Sequence, residues 1–184
     1  MDMGIHLKRI TDGFRKIAAH PELKNVPVIL GESDPEGCAA CGMKTNPENP
    51  YRNGTMYSSY TAASIGRLQD IADETGVNLL GAVSWSFLFE DQPWFAGFRD
   101  LATNGVNKPV LNVFRMLGMM DGVRLKVGGE QRYDAQRVLQ EGVRGPLTDI
   151  NALASRGKRQ VSVLVWNYHD DDVIDAGAPV ELAV

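Results

Sequence analysis

Glu32 stands where an apolar run gives way to a loop. Residues 26–30, Val-Pro-Val-Ile-Leu, have the length and β-branched content of a fully buried parallel strand, and the following Gly31-Glu32 ends it. Ser33-Asp34-Pro35-Glu36-Gly37 is turn-forming sequence. A carboxylate at such a junction is anchored on a rigid element yet faces open space, which is how α/β barrels present catalytic groups. The plainer reading of one strand-end glutamate is a helix-capping or surface carboxylate. Glu36, Glu90 and Asp91 add carboxylates at or near the same strand-end face, and Trp85 and Trp94 offer flat apolar surfaces of the kind that stack on sugar rings. Each tryptophan singly reads as core. Acids and tryptophans together on one loop face compose a candidate carbohydrate site.

Other reactive side chains carry weaker signals. Cys38-Ala-Ala-Cys41 invites a metal or redox reading, but a structural zinc site wants four ligands and the chain has no second Cys-x-x-Cys or histidine pair. A thioredoxin-like pair sits at a helix N-terminus directly after a strand, a different context. A structural pair of loop thiols is the preferred reading. His169-Asp170-Asp171-Asp172 fits either a cation site or an acidic hairpin turn. His6 and His20 fall at helix ends and are expected to be exposed. Gly128-Gly129 does not follow the kind of strand that a phosphate-binding loop requires.

The elements that must position these groups follow from periodicity. Leu7, Ile10, Phe14 and Ile17, with basic residues between them, predict an amphipathic helix over 5–20 that stops before Pro21. After the strand at 26–30, a loop rich in Gly, Pro and Asn runs over 31–54; loops of that length in compact domains are usually functional or disordered. A second helix is predicted over 58–75, with Thr61, Ile65, Leu68 and Ala72 on one face and Gly76 as its stop. Residues 79–87 read as another apolar strand, followed by an aromatic loop. A third helix begins near Pro109, with Val110, Val113, Phe114 and Leu117 as its stripe. Helix and strand alternate, which implies parallel strands with crossover helices. Beyond 120–122 the pattern changes to strands: 123–127, 160–168 and an alternation of Val180, Leu182 and Val184, an antiparallel module. A strand ending with the chain itself suggests truncation.

Composition bounds the rest. The chain has 184 residues, 43% hydrophobic and 23% charged, as expected of a soluble globular protein. A net charge of −4 argues against nucleic acid or an anionic membrane as partner. No run approaches the roughly 20 apolar residues of a membrane span. The N-terminus lacks the charged-then-apolar order of a signal peptide. Two cysteines point to a reducing, cytoplasmic setting.

Five stretches carry a family likeness: Ile-Leu-Gly-Glu-Ser-Asp-Pro-Glu-Gly-Cys-Ala-Ala-Cys at 29–41, Tyr-Arg-Asn-Gly-Thr-Met-Tyr at 51–57, Ser-Trp-Ser-Phe-Leu-Phe-Glu-Asp-Gln-Pro at 84–93, Asn-Val-Phe-Arg-Met at 112–116 and Val-Trp-Asn-Tyr-His-Asp-Asp-Asp at 165–172. They resemble the bacterial β-xylosidases of glycoside hydrolase family 39 across essentially the whole chain. The resemblance implies an α/β chain: the C-terminal part of a (β/α)8 barrel over 1–121, holding strands 7 and 8, then part of an antiparallel β-sandwich over 122–184. It implies a retaining hydrolase of β-1,4-xylosides acting from the non-reducing end. Glu32 would be its nucleophile, Trp85, Glu90 and Trp94 would line the sugar subsite, and neither metal nor cofactor would be needed. Xylo-oligosaccharides or aryl xylosides would be the substrates. The segment that carries the family's acid/base glutamate has no counterpart among these residues, so the chain reads as a fragment that is inactive alone and prone to associate. Arabinosidase, glucosidase or iduronidase specificity stays open within the enzyme class. The alternative from another class is a non-catalytic carbohydrate-binding or interaction protein.

Overall fold

A computed structural model describes residues 1–84, 89, 91–173 and 177–183. Helix α1 spans Met3–Ala18. The Asp2 side chain accepts the Ile5 N–H, and Arg15 and Lys16 sit in the last turn, where cations suit the helix dipole. Met3, Leu7 and Phe14 form its buried stripe. Strand β1, Val28–Leu30, follows, then the long loop, which closes in a 3₁₀ turn at Asn49–Asn53. Helix α2, Thr55–Thr75, starts three residues before the predicted 58 and ends at Gly76, whose left-handed φ of 70° suits glycine. Strand β2 covers Leu79–Ala82.

Strands β1 and β2 pair in parallel across the α2 crossover, with Val28 opposite Leu79 and Leu30 opposite Ala82. This is the βαβ unit that alternating helices and strands predict. The expected burial is corrected. Val28, Leu30, Leu79 and Ala82 pack on the helices, but Ile29 is 58% and Leu80 67% exposed. The run at 26–30 is therefore covered on one face only: successive side chains alternate, and the helices reach just one side. Val26 and Pro27 precede the strand. Among the described residues the parallel sheet has two strands and no barrel closes.

Strands β3 (Ala102–Thr103) and β4 (Val106–Asn107) form a small antiparallel hairpin. Helix α3, Pro109–Gly118, begins at the expected proline and buries Val110 and Val113. Strand β5 (Val123–Leu125), helix α4 (Ala135–Glu141), and strands β6 (Asp149–Arg156) and β7 (Val161–Tyr168) complete the chain. The three strands make an antiparallel sheet in the order β5-β6-β7; β5 and β7 fall where the sequence predicts strands, whereas the central β6 falls where it predicts none. Of the last predicted strand, at Val180, Leu182 and Val184, the described residues 177–183 are exposed and lack regular structure, and Val184 lies outside the described residues.

Helix α2 is the central element, touching α1, α3, β6 and β7. Its small residues let neighbours approach closely; a Cβ added to Gly66 would lie 2.7 Å from the Trp166 ring. The antiparallel sheet is pinned to α2 by Asp149. This fully buried carboxylate accepts from Arg67 Nη2 at 2.6 Å, Trp166 Nε1 at 2.8 Å and the Tyr133 backbone N–H at 2.9 Å. A buried charge survives only when paired and saturated with hydrogen bonds, and Asp149 meets both conditions. One apolar cluster runs from Leu7 and Phe14 through Leu68 to Val138, Leu164 and Trp166. None of the described helices is long and apolar enough to cross a membrane.

Candidate active site

Glu32 lies two residues beyond β1, at the carboxyl end of the parallel pair. Hydrogen bonds from the Val83 N–H to Leu30 O (3.0 Å) and from the Ser33 N–H to Val83 O (2.9 Å) carry the ladder past the strand ends and fix the backbone on either side of Glu32. Three acids at alternate positions, Glu32, Asp34 and Glu36, then converge on one guanidinium. Arg99 Nη1 donates to Glu32 Oε1 at 2.7 Å and to Asp34 Oδ2 at 2.8 Å, while Nη2 donates to Glu36 Oε1 at 3.1 Å and to the Glu36 carbonyl. Arg99 is fully buried. Burial opposes its charge, but Asp34, Glu32 and Glu36 outweigh that and hold its pKa above the ordinary arginine value.

The three carboxylates differ in what is left free. Asp34 is 3% exposed in its side chain, and its Oδ1 also accepts from Tyr57 at 3.0 Å and Ser84 at 2.7 Å. Those bonds tie the ends of β1, β2 and α2 together. Glu36 pairs with Arg52 and Arg99 and accepts from the Tyr51 hydroxyl at 3.1 Å. Burial pushes the Glu36 pKa up, yet the two arginines win and keep it below the usual carboxylate range. The Tyr51 phenol beside it is raised to about 12, chiefly by burial. Glu32 is the most open, 36% exposed in its side chain. Its Oε2 accepts no hydrogen bond among the described residues. A carboxylate with one oxygen clamped on a buried arginine and a side chain still partly open has geometry compatible with a nucleophile or an electrostatic stabiliser.

Arg52 organises the loop beneath. It is fully buried in the 3₁₀ turn and donates to the carbonyls of Cys38 (2.7 Å), Cys41 (2.9 Å) and Gly97 (3.2 Å). Backbone bonds from Met43 to Ala96 O (2.7 Å) and from Arg99 to Ala39 O (3.1 Å) join this loop to the segment that carries Arg99. The expected pair of loop thiols is instead a disulfide, Cys38–Cys41. The turn closed by the Cys41 N–H on Cys38 O sets the two Cα atoms 5.4 Å apart, within bridging range.

Glu32 and Glu36 are thus brought together as the spacing suggests. Trp94 stands 59% exposed on the loop between β2 and β3, and Asp91 is exposed on the same loop. Trp85 and Glu90 lie outside the described residues. His6, expected to be exposed, is instead half-buried: Nε2 meets Ser33 Oγ at 3.1 Å and Nδ1 meets the Tyr60 hydroxyl at 2.6 Å. Asp170, read as a turn or cation-site acid, is fully buried and serves structure. It accepts from the Met3 and Val143 backbone N–H groups and from the Tyr168 hydroxyl. Sequence reasoning missed Arg99, Arg52 and Asp34. A signal was present: three acids at i, i+2 and i+4 after a strand demand buried cations to hold them.

Comparison with curated proteins gave no match. The family model for glycosyl hydrolases family 39 matches residues 5–170, a span that takes in the strand-end acids, both arginines and the antiparallel sheet. The chain belongs to family 39 of the glycosyl hydrolases, a family of glycosidases whose substrates are carbohydrates.

Proposed function

We propose that this chain is the nucleophile-bearing segment of a retaining glycoside hydrolase that removes xylose from the non-reducing end of β-1,4-xylosides, with Glu32 as the nucleophile. The observation that carries the reading is the Glu32 carboxylate at the end of a parallel strand, one oxygen held 2.7 Å from Arg99 and the other accepting no hydrogen bond among the described residues. Residues 1–121 would belong to the catalytic barrel and 122–184 to its accessory sandwich, with β1 and β2 as two neighbouring barrel strands. Trp94, together with Trp85 and Glu90, would line the sugar subsite.

In the complete enzyme, Glu32 attacks the anomeric carbon while the bond to the leaving oxygen breaks. That oxygen takes its proton from a second carboxylic acid, contributed from outside this chain. The result is a covalent glycosyl ester on Glu32. The second carboxylate then draws a proton from water, which attacks the anomeric carbon and releases Glu32. Two carboxyl groups about 5–5.5 Å apart suit this double displacement. Arg99 Nη1, 2.7 Å from Glu32 Oε1, holds that oxygen in place so that the other can be aimed at the anomeric carbon.

Glu32→Gln keeps the side-chain shape and an oxygen for Arg99 but removes the nucleophile. Turnover of an aryl xyloside by the complete enzyme is expected to fall by roughly 10⁴-fold or more, with the melting temperature within a few degrees of the parent. A 2-fluoro-xyloside with a dinitrophenolate leaving group should add mass at Glu32. A Glu32→Gln enzyme with near-normal turnover, or a label on another residue, would remove Glu32 from the role; a protein that binds xylosides but never labels would be a carbohydrate binder.

A further inference from the structure

We propose that Arg99 is the positioning residue of Glu32, and that the disulfide-closed loop at 36–41 locks Arg99 in place through Arg52. The proposal rests on Glu32 being the nucleophile and goes beyond it, to what aims that carboxylate.

The chain of contacts is continuous. Arg99 grips Glu32 with the same nitrogen that binds the buried Asp34, so the guanidinium cannot swing without breaking a buried ion pair. Its other nitrogen is held by Glu36, through both carbonyl and carboxylate. Glu36 is held in turn by Arg52 and by the Cys38 N–H, which donates to Oε2 at 3.1 Å. Arg52 reads the carbonyls of both bridged cysteines, and Asn49 Nδ2 also donates to Cys41 O at 2.6 Å. The Arg99 backbone N–H hangs on Ala39 O, inside the bridged loop. Closing Cys38 to Cys41 thus fixes the carbonyls that fix Arg52, the arginine that fixes Glu36, and the acceptors that fix Arg99. Cys38 lies on the exposed side of the loop, where a small dithiol has access.

Catalytic rate is sensitive to such aim, because a displacement of about 1 Å in a reacting group costs on the order of a hundredfold. A planar five-donor fork is suited to this task, since it holds several carboxylates in fixed directions at once. Reduction of the bridge releases the loop: a dithiol gives two electrons and two protons to the cysteine sulfurs, the Sγ–Sγ bond breaks to two thiols, and the dithiol closes to its own cyclic disulfide.

The test uses the complete enzyme and the dinitrophenyl 2-fluoro-xyloside, whose good leaving group makes the labelling rate report on Glu32 alone. Arg99→Gln is expected to slow the maximal labelling of Glu32 by about 10–100-fold while leaving the probe concentration for half-maximal labelling little changed. Arg99→Lys should restore little of the rate, since an ammonium supplies charge without the fork. A purely structural arginine would lower the melting temperature and leave the maximal labelling rate of the folded enzyme unchanged, which overturns the positioning role. Dithiothreitol applied to the unsubstituted folded enzyme should free two thiols and slow labelling about 3–10-fold, reversed on reoxidation, and Cys38→Ser/Cys41→Ser should be slow and indifferent to the reagent. Equal labelling rates for the oxidised and thiol-titrated reduced enzyme overturn the part played by the bridge. Absence of label on Glu32 in the unsubstituted enzyme removes the nucleophile, and this proposal falls with it; label on Glu32 that is equally fast in every variant overturns the positioning role alone.

Discussion

His6 shows how a single side chain couples the stability of the strand-end loop to pH. Its ring lies between the Ser33 hydroxyl, next to Glu32, and the Tyr60 hydroxyl on α2. Burial lowers its pKa from 6.5 to about 4; nearby Asp34 pulls upward and Arg9 pushes downward, and neither reverses the effect of burial. The sign follows from proton counting. Between pH 4 and 6.5 the unfolded chain takes up a proton that the folded protein refuses. The contribution is therefore fully present above the unfolded pKa and is lost as pH falls toward the folded one, with a magnitude on the order of 2 kcal/mol. Thermal melts of the parent between pH 7 and 4.5 should drop more steeply than those of His6→Gln. Glu36, whose pKa is also lowered, is common to both proteins, so the difference in slope isolates the histidine. Equal slopes would mean that His6 titrates as though exposed, the environment its position near a helix start first suggests.

Helix α2 and strand β7 meet closely at Gly66, and that contact is testable with one methyl group. An alanine Cβ at position 66 would sit 2.7 Å from Trp166 Cη2, and the indole cannot easily yield because its N–H is bonded to Asp149. Alanine gains about 1 kcal/mol of helix propensity over glycine, whereas overpacking a rigid contact costs roughly 1–3 kcal/mol. Gly66→Ala is expected to lower the stability read from urea unfolding by a net of about 1 kcal/mol; a midpoint at or above the parent's would show that the ring gives way. The same elements mark what the sequence makes legible. Helices α1 and α3 announce themselves, because each buries a simple apolar stripe and ends at a proline or begins with one. Strand β6 does not: its inward positions include Asp149, Asn151 and Ser155, so a buried strand carries the lettering of a loop. Helix α4, seven residues long, is too short for a period to emerge. At the site, Glu32 is visible because local sequence places it at a strand end. Its partner is not, because Arg99 lies 67 residues further along the chain and only the tertiary fold brings the two together.

On the scale of the whole molecule, the parallel pair leaves apolar surface uncovered. Helices α1 and α2 seal one face of β1 and β2, while Ile29, Leu80 and Val83, all more than half exposed, line the opposite side. Each strand also has an edge with no partner among the described residues. Apolar side chains beside unpaired backbone donors and acceptors form a template for adding further strands. In the proposed complete enzyme, neighbouring barrel strands would occupy both edges and the bare face would become barrel interior. The 184-residue chain by itself is therefore expected to self-associate. Sedimentation velocity should show a weight-average mass that rises with concentration, and Ile29→Lys with Leu80→Lys should return it toward monomer. Both side chains point away from the core, so the double variant should keep the parent's circular dichroism and lose little stability. A parent chain that is monomeric throughout the concentration range, with a cooperative melt, would show that the exposed pair needs no neighbouring strands, and would count against its place in a barrel.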